Sequence, residues 1–121
     1  MRKQTSTVVR LRKKAELLRV LGHPVQLAIV QKLAKGPKCV TDIQELLDVA
    51  QANISQHLTI LRSHRIVGYH EDGKLRCYYI TRPAIAELIQ EFLCMDFPIV
   101  ERSPDEVRRV GKRRKDSRVC T

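Results

Sequence analysis

Apolar residues recur at helical spacing through the first half of this chain, alternate briefly with a period of two, and then return to helical spacing. In residues 10–21, Leu11, Ala15, Leu18 and Leu21 share a face. Gly22-His23-Pro24 ends that helix and opens the next, because glycine closes helices well and proline is tolerated at a first helical position. Leu27, Val30, Leu33 and Ala34 form the stripe of a second helix over 24–35, stopped by Gly36-Pro37. Thr41 and Gln44 have the spacing of a capping box for a short third helix over 41–47, with Asp42 and Glu45 near its positive end. The turn Asp48-Val49-Ala50 leads into a fourth helix over 51–63, whose buried face is Ile54, Leu58 and Leu61. IVGYHE and KLRCYYI then flank Asp72-Gly73, the strongest two-residue turn signal, and predict a β-hairpin. A lone hairpin is marginal in water, so it must lean on the helices. Pro83 opens a last helix over 83–95 with Ile85, Leu88, Ile89, Phe92 and Leu93 apolar, and a loosely structured segment is expected after Pro98. The predicted fold is mainly α with a β-hairpin wing, a winged helix-turn-helix in the order α-α-α-α-β-β-α.

The polar side of the fourth helix carries the functional signal. It presents Gln51, Asn53, Ser55, Gln56, Thr59 and Arg62, where an ordinary solvated face would carry Glu and Lys, while His57 is expected to serve DNA contact or helix packing rather than metal binding. Asn and Gln can bind adenine bidentately, and Ser or Thr can bond to any base, so this face suits the major groove of double-stranded DNA. On the hairpin, Lys74 and Arg76 lie within reach of a phosphate backbone, although charge on an edge strand also simply discourages aggregation.

Charge refines this picture. The chain has 121 residues and a net charge of +10, yet the excess sits in the ends. Residues 1–14 hold six Lys or Arg and no acid, residues 108–118 hold seven against one acid, and residues 15–107 are net −2. Basic ends can add salt-sensitive affinity for phosphate without sequence preference, or serve only as solubilising tails. The expected organisation is a basic arm at 1–9, a DNA-binding and dimerisation domain at 10–97 and a basic flexible tail at 98–121. Apolar residues make up 43% of the chain but aromatics only 4%, so Leu, Ile and Val must fill a small core that a second copy would help complete. No apolar run is long enough for a bilayer and no secretory h-region is evident, so a cytoplasmic protein with no membrane partner is expected. Neither a phosphate-binding glycine loop nor a Ser-His-Asp set can be assembled, which argues against an enzyme. The competing reading is a winged helix used only for protein–protein contact, which would favour an apolar or charged outer face on 51–63.

Residues 15–95 resemble the ArsR–SmtB family of bacterial metal- and thiol-responsive repressors. The resemblance rests on LGHP at 21–24, SQHLTILR at 55–62 and the tyrosine pair at 78–79. It implies a homodimer, joined through its first and last helices, that represses transcription until an inducer lowers its affinity for a DNA operator. Two positions depart from the family pattern. Ala50 stands where a serine usually caps the recognition helix, and Gln26 stands where arginine is common.

The inducer is only half specified. Family members that sense arsenic, cadmium or lead carry C-V-C-D-L at the third helix, whereas this chain has Cys39-Val40-Thr41-Asp42-Ile43. One thiolate cannot make a tight soft-metal site, so further ligands would have to come from Cys94 and Cys120. The zinc-type site of the family is absent, since residues 81–97 contain no His. Cys39 precedes a helix N-terminus and follows Lys38, both of which should lower its pKa and raise its reactivity. The readings left open are a trivalent arsenical or soft metal ion, an oxidant or sulfur species acting at Cys39 and Cys94, and no cysteine-based sensing. Cys77 is expected to be a small core hydrophobe.

Overall fold

The computed structural model describes residues 6–113. It comprises α1 (Thr7–Leu21), α2 (Pro24–Leu33), β1 (Lys38–Cys39), α3 (Val40–Leu47), α4 (Gln51–Ser63), β2 (Val67–Asp72), β3 (Leu75–Ile80), α5 (Pro83–Cys94) and α6 (Pro104–Arg113). The winged helix-turn-helix predicted from the pattern is present, with three additions: a bridging strand, an earlier start to α1, and a sixth helix.

The first addition is β1. The sheet has three antiparallel strands in the order β1-β3-β2, with Lys38 opposite Tyr78 and Cys39 opposite Cys77. This bridge moves the start of α3. Its N-cap is Cys39, whose backbone N–H donates to Asp42 Oδ2 at 3.4 Å, so the expected capping box at Thr41 and Gln44 does not form. Pairing with β3 holds residue 39 extended, and the helix must begin immediately after it.

The hairpin turns one residue later than expected. Asp72 pairs with Leu75, which leaves Gly73 and Lys74 as the two loop residues. Gly73 has φ +67 and Lys74 is not among the residues with positive φ, the pattern of a type II′ turn with glycine at its first central position.

Ile29, Val30, Leu33, Ile43, Ile54, Leu58, Leu61, Ile66 and Val67 form the centre of one core, closed by Val20, Leu21, Tyr78, Ile85 and Ile89. Helix α1 meets this core through Leu17, Val20 and Leu21 near its C-terminal end. The expected stripe at Leu11, Ala15 and Leu18 lies in the open, with Leu18 65% exposed, because the helix projects beyond the body. Helix α5 buries Ile85 and Ile89 but leaves Leu88, Phe92 and Leu93 exposed. Helix α1 also begins at Thr7, inside the expected arm, where the Ser6 hydroxyl accepts from the Val9 N–H at 3.3 Å.

The sixth helix overturns the expectation of a loose segment after Pro98. Its start is a reciprocal cap: Ser103 Oγ accepts from the Glu106 N–H at 3.2 Å, and Glu106 Oε1 accepts from the Ser103 N–H at 2.9 Å. With Pro104 next in line, the Ser-x-x-Glu signature was legible in the sequence. No helix among the described residues is long and apolar enough to cross a membrane.

Candidate nucleic-acid interface and the cysteine pair

Helix α4 follows α3 through Asp48, which adopts the left-handed conformation (φ 54) that ends α3. Ile54, Leu58 and Leu61 are completely buried and fix the rotation of α4 about its axis. That rotation leaves Gln51, Asn53, Ser55, Gln56, Thr59 and Arg62 exposed along about half the helix circumference. Ala50 occupies the N-cap with extended backbone (φ −57, ψ 144) and supplies no side-chain cap. The Thr59 hydroxyl donates to the Ser55 carbonyl at 2.9 Å, so its oxygen remains available as an acceptor.

His57 takes up the packing position that was one of the two expected for it. It sits half-buried, with Nδ1 3.0 Å from Gln26 Oε1 and its ring 4.5 Å from that of His23. Gln26 is itself buried, and its Nε2 donates to the Val20 carbonyl at 2.5 Å. That bond fixes the orientation of the amide, and since Oε1 can only accept, His57 Nδ1 carries the proton. Burial, followed by the neighbouring His23, pushes the His57 pKa below its ordinary 6.5. His57 therefore links α4 to α2. Gln26 ties the end of α1, the start of α2 and the middle of α4 at one point.

The wing is coupled to α4 through a residue the sequence analysis overlooked. Tyr69 on β2 has the Arg62 guanidinium 4.8 Å from its ring centroid and that of Arg76 4.2 Å from it. An aromatic run beside cationic strand residues was the available signal. The Tyr78 hydroxyl, followed by Tyr69, pushes the Arg76 pKa further above its usual value, so this side chain is cationic at physiological pH. Arg62 from the helix and Arg76 from the wing are thus brought together on one ring, while Lys74 stands exposed in the hairpin loop.

The cysteines fall out differently from expectation. Cys39 Sγ lies 2.7 Å from Cys77 Sγ, both residues are half-buried, and both are free thiols. Cys77 is therefore a partner of Cys39 rather than an isolated core side chain. The hydrogen bond with Cys77 pushes the Cys39 pKa up to about 11, with partial burial and the carboxylates of Asp42 and Asp72 acting in the same direction. That reverses the lowering expected from the helix N-terminus and Lys38. Cys94 is exposed at the end of α5. Among the described residues no group of three or more Cys, His, Asp or Glu side chains could hold a metal ion, so Cys94 does not join the other two. Cys120 lies outside the described residues, as do residues 1–5 and 114–121 of the basic ends.

Residues 23–69 match the profile of the bacterial regulatory protein, arsR family. The HTH-type transcriptional regulator MJ1325 of Methanocaldococcus jannaschii is 37% identical over 79 residues, 64% of this chain and 89% of that one. The chain belongs to the ArsR–SmtB family. This is a family of winged helix-turn-helix transcriptional regulators, not of enzymes. The HTH-type transcriptional repressor SmtB of Mycobacterium tuberculosis is 35% identical over 74 residues, 61% of this chain and 55% of SmtB, so the match spans little more than half of that relative. Among solved structures, the transcriptional repressor BigR of Xylella fastidiosa superposes with a TM-score of 0.70 at 26% identity, over 81% of this chain and all of that one.

Proposed function

We propose that this ArsR–SmtB chain is a sequence-specific repressor that binds an inverted-repeat DNA operator as a homodimer. One copy of α4 enters each of two major grooves about one helical turn apart. The exposed amide and hydroxyl arc of α4 is the observation that carries this reading, because Gln51, Asn53, Ser55 and Gln56 match the donor and acceptor patterns of base edges. Lys74 and Arg76 hold flanking phosphates, and Arg62 is steadied beside the groove by Tyr69. The basic ends add affinity without selectivity. The homodimer is supported by the apolar surface left open on α1 and α5, where Leu11, Leu18, Leu88 and Phe92 are exposed. A cytoplasmic location and double-stranded DNA as partner follow from the same reading. Release comes from a thiol-reactive inducer, an arsenical, soft metal ion or oxidant acting on the cysteines.

Selection of bound fragments from random DNA, followed by gel shift, tests this directly. Gln56→Ala should cost about 1–3 kcal/mol on the selected site and much less on random DNA. Lys74→Ala should weaken both about equally and flatten the salt dependence. Equal loss on both kinds of DNA for Gln56→Ala would remove the base-reading role and favour a protein–protein module.

A further inference from the structure

Two thiols from segments 38 residues apart meet at the junction of the wing and the helix-turn-helix. Cys39 ends β1 and caps α3, while Cys77 lies directly opposite on β3. Directly opposed residues of antiparallel strands have Cα atoms about 4.5–5.5 Å apart, inside the roughly 4.4–6.8 Å window that a disulfide requires. The sulfur atoms already sit 2.7 Å apart, closer than two unbonded sulfur atoms ordinarily approach. Both residues are half-buried rather than sealed, which leaves a small oxidant access. Backbone register, side-chain contact and access therefore agree on one pairing, whereas Cys94 stands alone at the end of α5.

We propose that Cys39 and Cys77 form a reversible intramolecular disulfide that ties the wing to the first helix of the DNA-reading pair. With hydrogen peroxide as oxidant, one thiolate sulfur takes a hydroxyl from the peroxide and becomes a sulfenic acid, and the peroxide's other oxygen leaves as water. The second thiol sulfur then displaces that hydroxyl, a second water departs, and the S–S bond forms. Two thiol protons and two electrons pass from the cysteine pair to the peroxide, and a dithiol reductant reverses the change. Because the reacting sulfur must first lose its proton, the reaction speeds up as pH rises. The bond fixes the DNA-free arrangement of β3 against α3. A wing that has to follow the phosphate backbone then loses that freedom, and operator affinity falls.

The bond itself is independent of the DNA reading, whereas its effect on the operator rests on it. The full chain is treated with hydrogen peroxide, its intact mass measured, and non-reduced peptides mapped. Wild type and the double variant Cys94→Ser, Cys120→Ser should each lose two hydrogen masses and yield a peptide pair linking residues 39 and 77. Cys77→Ser should not. Gel shift on the selected operator should then show affinity reduced about 5- to 150-fold on oxidation and restored by reductant, with no such change in Cys77→Ser. A disulfide that joins Cys94 instead, or sulfinic acid without any disulfide, overturns the pairing. A 39–77 bond with unchanged operator affinity overturns the switch. Loss of sequence preference in reduced and oxidised protein alike, with the 39–77 bond formed, rejects the operator reading and with it the switch, and leaves the pairing established.

Discussion

Installing the missing cap on the recognition helix offers a direct measurement of how firmly α4 begins. Ala50 is its N-cap and offers no acceptor to the first free N–H groups. The chain contains its own reference for what a hydroxyl would do there. Ser6 caps α1 with φ −61 and ψ 159, and its Oγ accepts from the N–H three residues on. Ala50 has nearly the same backbone, φ −57 and ψ 144, so a serine there can reach the Asn53 N–H without strain. Such a cap contributes about 1 kcal/mol, with a range of about 0.5–2. For a domain of this size that corresponds to a rise in Tm of about 3–6 °C for each kcal/mol. Ala50→Ser should therefore raise the urea midpoint without changing the slope. Ala50→Val, which is larger but has no acceptor, should bring no gain. Protein concentration must be held constant, since assembly shifts apparent stability by mass action. If serine and valine behave alike, or serine destabilises, the capping argument fails.

Two further expectations concern the Gln26 node. Gln26→Leu keeps the approximate volume but strips the Val20 carbonyl and His57 of their partner, and should cost about 1–3 kcal/mol in urea unfolding; no loss would mean that water satisfies both groups. His57 titrates below its ordinary 6.5 when folded, so above 6.5 it is neutral in both states and its contribution is intact. As pH falls through 6.5 the unfolded chain takes up the proton while the folded chain resists it, and stability declines. A thermal-shift series should show this decline in wild type and a flatter profile in His57→Asn; identical profiles would reject the assignment.

What could be read from the sequence followed the range of each interaction. The buried face of α4 was legible because Ile54, Leu58 and Leu61 impose a local period, and the hairpin because Gly73 punctuates two β-rich runs. The lack of a cap at Ala50 was equally local. Strand β1 was not legible, since two residues carry no periodicity and their partner lies 38 positions on. The contact between Cys77 and Cys39 and the upward shift of the Cys39 pKa both followed from that hidden pairing. Gln26 could be noticed as unusual, but its two partners come from other helices. The exposed stripe of α1 has the same period as a buried one, and only tertiary placement distinguishes them. Helix α6 was missed for a different reason: its capping signature was local and legible, but Pro98 reads as the end of the ordered part.

The brevity of β1 has a consequence for behaviour at high concentration. A sheet ends in rows of unpaired amides and carbonyls that can recruit another chain, and the hazard grows with the length and flatness of the free edge. Here one border of the sheet is only two residues long and runs straight into a helix at Val40. The opposite border, β2, finishes in His70, Glu71 and Asp72, polar side chains that disfavour stacking against a neighbour. The first border is too short to template cross-β growth, and the second relies on its polar end to discourage it. The wing can therefore stand out from the helical body, where phosphates can reach it, without becoming a seed for fibrils.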